Sequence, residues 1–338
     1  MSARLPTALL ACALGAAVGA RAAVAAAPPP ALDASAACLF DAGSDAVLYQ
    51  ANGEAELPIA STTKLMTVLV TLQHVHDLSE VFTQNDYYPS PVDSQIGLVP
   101  GERMSVHDLI LALLLPSADD AAEDLAYNVG GGSVARFIGM MNADAQALDL
   151  THTHYSTPIG LDTPGNYSSA CDLDRLAAYD LSVSAYFRRV VALPAATLWS
   201  GRYVRHVINR NDLVGRIPWI QGVKTGHTAA AGYVLVALGV RDGMSLLASV
   251  LGTPSEAARD ASALALLDYG FSQFHPVPVL GAGQVPARPG ARGRRELASL
   301  PAGPTTLILL TLALGAAGAL AGRWRRTQRG LSTGELEE

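Results

Sequence analysis

The chain has 338 residues, of which 50% are hydrophobic and 16% are charged, and its formal net charge is −7 at pH 7. Lysine and arginine form no basic patch of the kind that holds nucleic acid, so we expect no nucleic-acid partner. Apolar stretches at both ends raise the average hydropathy, and the part between them has the composition of an ordinary globular protein.

Residues 1–27 have the features of a signal peptide, which predicts export. Arg4 gives a positive charge near the start, residues 9–18 form an apolar core, and residues 23–27 are small, as in a cleavage region. Cys12 offers the alternative of a lipid attachment site. We favour the cleaved signal peptide, because the apolar core before Cys12 is short and the small residues continue well past it.

The first half of the remaining chain is predicted to begin with a β-hairpin and to continue as helices. Two apolar runs flank a turn-rich linker, which is typical of a hairpin. A long apolar stretch at helical spacing is interrupted at Pro116 and Ser117, so one helix should end where Ser117 is presented and another begin after it. The predicted strands are 37–40 and 46–50, and the predicted helices start near Ser61 and cover 105–129 with its interruption, 134–148 and 170–181.

The second half is predicted to return to strands. Asp242-Gly243 lies between the apolar runs 232–238 and 245–251, which is a strong hairpin signal. A helix from about Ser255 to Tyr269 should follow, with Ser255 as its N-cap. The predicted fold class is α/β (α+β). An antiparallel sheet built from both ends of the domain is covered by helices, and an all-helical lobe is inserted between, with the functional site at their junction.

The C-terminal part predicts a membrane anchor. Residues 275–304 are rich in Pro, Gly, Ala and Arg and lack periodicity, as a linker does. Residues 305–322 are uncharged and apolar over about the minimum length of a transmembrane helix. Trp324 and four arginines follow at once, which predicts a cytoplasmic tail over 323–338. We therefore expect residues 28–274 to form one domain outside the cytoplasm.

Two cysteines, Cys38 and Cys171, remain after the signal peptide is removed. Outside the cytoplasm they could form a disulfide, but a large separation in sequence says nothing about geometry. Our expectation is two separate buried thiols, with the disulfide as the alternative.

Ser61 and Lys64 form a candidate nucleophile and base. In a helix the side chain at i+3 lies beside the one at i, so Lys64 should reach the Ser61 hydroxyl. A lysine can remove that proton only if burial or another cation lowers its pKa. Taken alone, the pair is better explained as a helix cap and a solvated lysine, because short motifs match often by chance.

Two further motifs favour the catalytic interpretation. Ser61-x-x-Lys64 is followed by Ser117-x-Asp119 and then by Lys224-Thr225-Gly226, the three-part pattern of penicillin-binding proteins and class A β-lactamases. Over roughly 37–274 the chain resembles the low-molecular-mass penicillin-binding proteins that are serine-type D-alanyl-D-alanine carboxypeptidases. The similarity includes Pro100-Gly101-Glu102, residues 157–162 and Asn209-Arg210-Asn211. The chain departs from the family at Asp119, where the family usually has Asn.

The resemblance implies a catalytic domain of the penicillin-binding-protein and β-lactamase type that acts on peptidoglycan stem peptides, with no cofactor or metal. Ser61 would attack the carbonyl between two D-alanines, Lys64 would take its proton, and Ser117 would relay a proton to the leaving amine. β-Lactams would acylate the same serine. The product would be a stem peptide without its terminal D-alanine, or a cut cross-link if the enzyme is an endopeptidase.

Asp119 and four residues around the last motif are implied to bind substrate. Lys224 would add a cation that favours neutral Lys64 and helps to hold the substrate carboxylate, to which Thr225 offers a hydroxyl. Gly226 would let the peptide lie along the strand edge. The backbone N–H groups of Ser61 and His227 would form the oxyanion hole.

Asp119 raises an alternative within the family. Near Lys64 and Lys224, a carboxylate favours the charged lysines, which predicts an enzyme that is impaired at neutral pH or a penicillin-binding scaffold. Asp119 could instead point away, with Asp120 and the loop backbone contacting the substrate, or it could be protonated and able to donate a hydrogen bond.

Two other enzyme classes have weaker support. A class A β-lactamase needs a Glu-x-x-Leu-Asn loop, which the sequence between Ser117 and Lys224 does not contain. A metallopeptidase would need a ligand set, but the pairs His74-x-His76 and His152-x-His154 do not have His-Glu-x-x-His spacing.

Overall fold

The computed structural model describes residues 27–274. The predicted linker, transmembrane helix and cytoplasmic tail, and the signal peptide except for Ala27, lie outside this range and stay predictions. Among the described residues no helix combines the length and apolar character that crossing a membrane requires. The strands are β1 (Ala36–Asp41), β2 (Ala46–Ala51), β3 (Val81–Thr83), β4 (Arg103–Ser105), β5 (Ala195–Trp199), β6 (Val204–Ile208), β7 (Ile220–Thr228), β8 (Gly232–Arg241) and β9 (Met244–Thr253).

All the α-helices of the described residues except the last lie between β2 and β7. They are α1 (Lys64–His74), α2 (Val106–Leu114), α3 (Asp119–Val129), α4 (Val134–Ala147), α5 (Ala170–Val183), α6 (Ala185–Val191) and, after β9, α7 (Glu256–Gln273). A short 3-10 helix, Ala60–Thr63, leads directly into α1. Ser255 caps α7 as predicted, because its side chain accepts a hydrogen bond from the Ala258 N–H.

Five strands form one antiparallel sheet in the order β2-β1-β9-β8-β7. The N-terminal hairpin therefore pairs with the last strand, which confirms a sheet built from both ends of the domain. The β8–β9 turn has positive φ at Asp242 (52°) and Gly243 (80°), the backbone that Asp-Gly favours in a tight hairpin. β7 is an edge strand of this sheet, so one side of it is unpaired within the sheet.

The sheet separates two hydrophobic cores, because successive side chains on a strand point to opposite faces. Leu39 and Leu246 pack with Leu266 of α7 on one face. Phe40 and Leu247 face the other core, which contains α5 and the helices α1 to α4. Helices therefore cover both faces of the sheet, as predicted, and the helices α1 to α4 lie with α5 on one of them.

The expectation of two separate thiols is wrong. Cys38 of β1 and Cys171 of α5 form a disulfide, with their Cα atoms 5.2 Å apart. Their sequence separation of 133 residues gave no indication of this. The backbone of Gly53 passes so close that a Cβ there would lie 2.7 Å from the Cys171 sulfur. The disulfide therefore ties the sheet to the helix that covers its second face.

The β5–β6 hairpin is an element that the sequence analysis did not predict. Its strands pair antiparallel over Ala195–Trp199 and Val204–Ile208. Arg205 fastens the hairpin to the loop after β3, because its guanidinium donates to both Glu102 carboxylate oxygens at 2.6 and 3.0 Å. This contact explains why Glu102, in one of the family-like segments, is buried.

Candidate active site

The chain reverses direction sharply at Ser61. Ala60 has a φ of +48°, and the Thr62 hydroxyl donates a hydrogen bond to the Ile59 carbonyl at 2.6 Å. Ser61 therefore lies in the 3-10 helix rather than at the start of an α-helix, and α1 begins at Lys64. Ser61 is half-buried, whereas Thr62, Thr63 and Lys64 are buried.

Lys64 is fully buried and contacts three oxygens. Its Nζ lies 2.9 Å from Ser61 Oγ, 2.6 Å from Asp119 Oδ1 and 2.6 Å from the Ile159 carbonyl oxygen. The carboxylate and the carbonyl are acceptors, so they take two of the amine's hydrogens. The third contact of the Lys64 nitrogen is with Ser61 Oγ. Lys64 therefore lies where a base for the predicted nucleophile has to lie.

The segment that contains Ile159 is a part of the site to which the sequence analysis gave no role. Thr67 Oγ1 of α1 donates to the Pro158 carbonyl at 2.6 Å, and Gly160 lies against the Ser61 turn. A Cβ on Gly160 would be 2.1 Å from the Ala60 carbonyl oxygen. The absence of a side chain at Gly160 thus allows the close approach that gives Lys64 its Ile159 acceptor.

Ser117 lies on the loop between α2 and α3, as predicted. Its φ is +67°, an uncommon conformation for a residue with a side chain. The Arg210 guanidinium donates through Nε to the Pro116 carbonyl at 2.8 Å, and the Arg210 N–H donates to the Leu115 carbonyl at 3.0 Å. Lys224 Nζ lies 2.8 Å from Ser117 Oγ. The loop is therefore held from two sides around Ser117.

Asp119 does not point away from the lysines, so that interpretation is wrong. It is the first residue of α3, and its ion pair with Lys64 is buried. Asp120 is turned to the other side, where it accepts hydrogen bonds from the backbone N–H groups of Ile96 and Leu98 at 3.2 and 2.9 Å. Asp120 thus fixes a loop, and Asp119 is the carboxylate beside the candidate base.

The two buried lysines have lowered pKa values for related reasons. Burial is the main cause of the lowered pKa of Lys64. Asp119 opposes this effect, and Arg210 adds to it. For Lys224 burial is again the main cause, followed by the charges of Lys64 and Arg210, and its pKa lies well below the usual value. Arg210 thus adds to the effect of burial on the pKa of Lys64, and the repulsion between Lys64 and Lys224 appears in the lowered pKa of Lys224.

Strand β7 forms the opposite side of the site with the last predicted motif. Lys224 and Thr225 are buried, and Gly226 lies against the Ser61 turn, where a Cβ would be 2.9 Å from Ala60 Cβ and 3.0 Å from the Ser61 backbone nitrogen. The His227 ring stacks on Tyr233 with ring centres 4.0 Å apart. The His227 backbone belongs to the edge strand β7, and His227 lines the same cavity as Ser61.

A sequence model of the family Peptidase S11, D-alanyl-D-alanine carboxypeptidase, matches residues 22–255. The chain belongs to this family. DacD of Salmonella typhimurium, a D-alanyl-D-alanine carboxypeptidase, is 36% identical over 267 residues, which are 76% of this chain and 67% of that protein. The D-alanyl-D-alanine carboxypeptidase of Streptomyces sp. strain K15 is 33% identical over 246 residues, which are 68% of this chain and 84% of that protein.

A solved structure agrees with these relatives. The crystal structure of the Streptomyces K15 DD-transpeptidase aligns with a TM-score of 0.69 and 31% identity, over 73% of this chain and 100% of that chain. The S11 fold class is thereby confirmed, as is the predicted serine-type D-Ala-D-Ala carboxypeptidase that acts on peptidoglycan. The metallopeptidase and class A β-lactamase interpretations are set aside.

The S11 site opens into a cavity of about 230 Å³ between the two sides of the cleft. Two arginines that the sequence analysis did not assign to the site, Arg210 and Arg259, line it with Ser61, Ser117 and Thr225. Arg259 comes from α7, far from the three motifs in the sequence, and no local pattern marks it. The cavity therefore presents two guanidinium groups, which suit an anionic group of a substrate, and Glu256 lines it as well, 3.8 Å from Arg259.

Proposed function

We propose that Ser61 is the nucleophile with which this carboxypeptidase removes the terminal D-alanine of a peptidoglycan stem peptide. The observation that carries the proposal is the 2.9 Å contact between Lys64 Nζ and Ser61 Oγ, with two other oxygens on the same nitrogen. A neutral Lys64 donates its two hydrogens to Asp119 and Ile159, so its lone pair faces the Ser61 hydroxyl. Lys64 then takes the proton as Ser61 attacks.

The next steps use the opposite side of the cleft. The backbone N–H groups of Ser61 and His227 stabilise the oxyanion that forms when the carbonyl is attacked. Ser117, in contact with Lys224, relays the proton that Lys64 took to the nitrogen of the leaving D-alanine as the C–N bond breaks, which leaves Lys64 neutral. An acyl-enzyme remains on Ser61 until water attacks its ester carbonyl and gives a proton to Lys64. Lys64 returns this proton to Ser61 Oγ as the ester bond breaks and the shortened peptide is released.

The substrate is positioned by its C-terminal carboxylate and its backbone. Thr225 and Arg259, which line the cavity, donate hydrogen bonds to the carboxylate, with Lys224 contributing positive charge. The peptide lies along the edge of β7 as an added strand, which the lack of a side chain at Gly226 permits. β-Lactams enter by the same contacts and acylate Ser61.

The experiment is the release of free D-alanine from a pentapeptide that ends in D-Ala-D-Ala. We expect turnover by the wild-type chain and none by Ser61→Ala. Turnover that persists in Ser61→Ala, while the variant keeps the wild-type melting temperature, would exclude Ser61 as the nucleophile.

A second candidate function is transpeptidation, in which an amine rather than water attacks the acyl-enzyme. The observation that favours it is the match to the full length of a structure whose name is DD-transpeptidase. Adding glycylglycine as acceptor to the same assay distinguishes the two functions. A new peptide bond to glycylglycine indicates transpeptidation, and free acid alone indicates the carboxypeptidase. Cleavage of a cross-linked dimer peptide would indicate endopeptidase activity.

We propose that the enzyme works outside the cytoplasm and is anchored by residues 305–322. The signal-like residues 1–27, the apolar run before an arginine cluster, and a disulfide all support this location. A chain that ends at Phe274 should leave the membrane fraction and keep its activity. Retention of that shortened chain in the membrane would contradict the proposed anchor.

A further inference from the structure

A pocket at the C-terminal end of α1 is used neither by the mechanism nor by the family assignment. It has a volume of about 380 Å³ and lies between the end of α1, the loop that follows it, and the junction of α5 and α6. Lys64 is at the other end of this 11-residue helix, which is about 16 Å long. We call this the α1/α5 pocket, and it is separate from the S11 site.

Most of the wall of the α1/α5 pocket is apolar. Gln73, His76 and Val183 line it and are exposed, so the pocket is open to solvent there. None of the described residues that line it is lysine or arginine. The apolar part of the wall consists of Leu69, Leu72, Val75, Leu78, Val183 and Phe187.

One acidic side chain of the wall has no partner. Asp180 of α5 lines the pocket and is only 2% exposed. Neither of its carboxyl oxygens has a hydrogen-bond partner among residues 27–274. Buried polar atoms of folded proteins nearly always have such a partner, because an unpaired one loses its hydration without compensation. Asp180 is therefore a group that a bound molecule can satisfy.

A second acid and a phenol lie beside Asp180. Burial raises the pKa of Asp180 well above its usual value, and the charge of Asp144 in α4 raises it further. Asp144 Oδ2 and Tyr155 Oη are buried and also lack a partner within the described chain. Four such oxygens thus lie together at this side of the pocket, two on Asp180 and one each on Asp144 and Tyr155.

The two parts of the wall together define the ligand. Carboxyl groups and a phenol oxygen suit a cation, and a primary ammonium group has three hydrogens to donate to them. The apolar part suits an alkyl or aryl body, whose burial favours binding. A metal ion would leave the apolar wall without a partner. The described residues also contain no group of three or more His, Cys, Asp or Glu that could hold one.

We propose that the α1/α5 pocket binds a small primary amine with an apolar body. The ammonium group contacts Asp180, and the body packs against Leu69 and Phe187. An ammonium ion in contact with Asp180 stabilises its carboxylate, so the carboxyl group that burial keeps protonated gives its proton to the buffer on binding. The other titratable side chains around Asp180 are Asp144, Tyr155, Tyr179 and His76.

The test uses three probes of nearly the same shape: benzylamine, benzyl alcohol and benzoate. Calorimetry at pH 7 on the full-length chain in nanodiscs, with the heats from empty nanodiscs subtracted, measures their binding. We expect a Kd of about 1 mM for benzylamine and binding about tenfold weaker for the alcohol. Benzoate should bind more weakly still, because it is repelled by the acids. Binding enthalpies in two buffers of different ionisation enthalpy measure the proton that benzylamine releases.

Asp180→Asn keeps the shape of the side chain and removes its charge. It should lower the affinity for benzylamine about tenfold, to that of the alcohol, and abolish the proton release. Asp174→Asn is the matched control, because Asp174 is a buried carboxyl of the same helix that binds Ser249 and does not line the pocket. His76→Gln removes the imidazole from the pocket wall and should leave the proton release unchanged.

The preference for the amine over the alcohol decides the outcome. Equal binding of benzylamine and benzyl alcohol to the wild type would overturn the proposal, as would a preference that survives in Asp180→Asn. A preference that is lost in Asp180→Asn and kept in Asp174→Asn supports it. Should Asp180→Asn not fold, proton release that persists in His76→Gln supports the proposal, and binding without proton release contradicts it.

Discussion

The two sides of the cleft around Ser61 are held in different ways. On the sheet side, Gly226 contacts the Ser61 turn through atoms of the backbone and the small Ala60 side chain. On the helical side, Lys64 contacts the Asp119 carboxylate, and Lys224 of β7 reaches across the cleft to the Ser117 hydroxyl. Substitutions on the sheet side should therefore change distances, whereas substitutions on the helical side should change proton affinities.

The largest effect is expected from Gly226→Ala. The added methyl group would lie 2.9 Å from Ala60 Cβ and 3.0 Å from the Ser61 nitrogen, so the turn or the strand must move. A displacement of this kind at a reacting group can cost about 100-fold in rate. We expect acylation by a fluorescent penicillin to slow by about that factor at every pH.

Gly139→Ala is the matched control for this substitution. Gly139 lies within α4, and a Cβ there would have no heavy atom within 4 Å. Alanine should stabilise the helix by roughly 1 kcal/mol and leave acylation unchanged. Equal acylation rates for Gly226→Ala and Gly139→Ala would show that the sheet side is not held by close backbone approach.

The next effect concerns stability rather than chemistry, because the disulfide joins the sheet to α5 away from the motifs. Replacing Cys38 and Cys171 by alanine should lower the free energy of unfolding by about 4 kcal/mol and the melting temperature by roughly 10 °C. Acylation at 25 °C should persist, since each side of the cleft is held by its own contacts. Thermal unfolding with and without reductant measures the loss, and the double variant should not respond to reductant. If reductant does not change the melting temperature of the wild type, the Cys38–Cys171 disulfide is contradicted.

Local patterns predicted the parts of the site that each lie within one motif. Ser61 with Lys64, and Lys224 with Thr225 and Gly226, are close in sequence, so helix and strand geometry are enough to place them relative to each other. The hairpin at Asp242-Gly243 was predicted for the same reason, because the residue types of a tight turn are local.

Contacts between distant segments could not be read from such patterns. The Ile159 carbonyl is a backbone atom, and any residue at that position could supply it. Arg259 reaches the cavity only because α7 packs on the sheet. The β5–β6 hairpin exposes Trp199, Val204 and Ile208, so its strands lack the one-sided apolar pattern that marks a half-buried strand.

A smaller, pH-dependent effect is expected from Asp119→Asn. The carboxylate raises the pKa of Lys64 against the lowering effect of burial, so removing its charge should lower that pKa further. Neutral Lys64 is the active base, and acylation rises with pH through its pKa. The acidic limb of the profile should therefore move to lower pH. At a fixed pH on that limb, acylation should be about tenfold faster if the pKa of Lys64 falls by about one.

The measurement is the pH dependence of acylation in the wild type and in Asp119→Asn. The amide also restores a donor for the substrate carbonyl, which should raise turnover of the D-Ala-D-Ala peptide. Superimposable profiles with equal rates would show that Asp119 does not act on the lysines in the working enzyme.

The central claim is that Ser61 forms the covalent bond, and the mass of the penicillin-treated full-length chain tests it most directly. We predict a mass increase of one penicillin on the wild type, located on the peptide that contains Ser61, and no increase on Ser61→Ala. An adduct that persists on Ser61→Ala, or no adduct on a folded wild-type chain, would contradict the account.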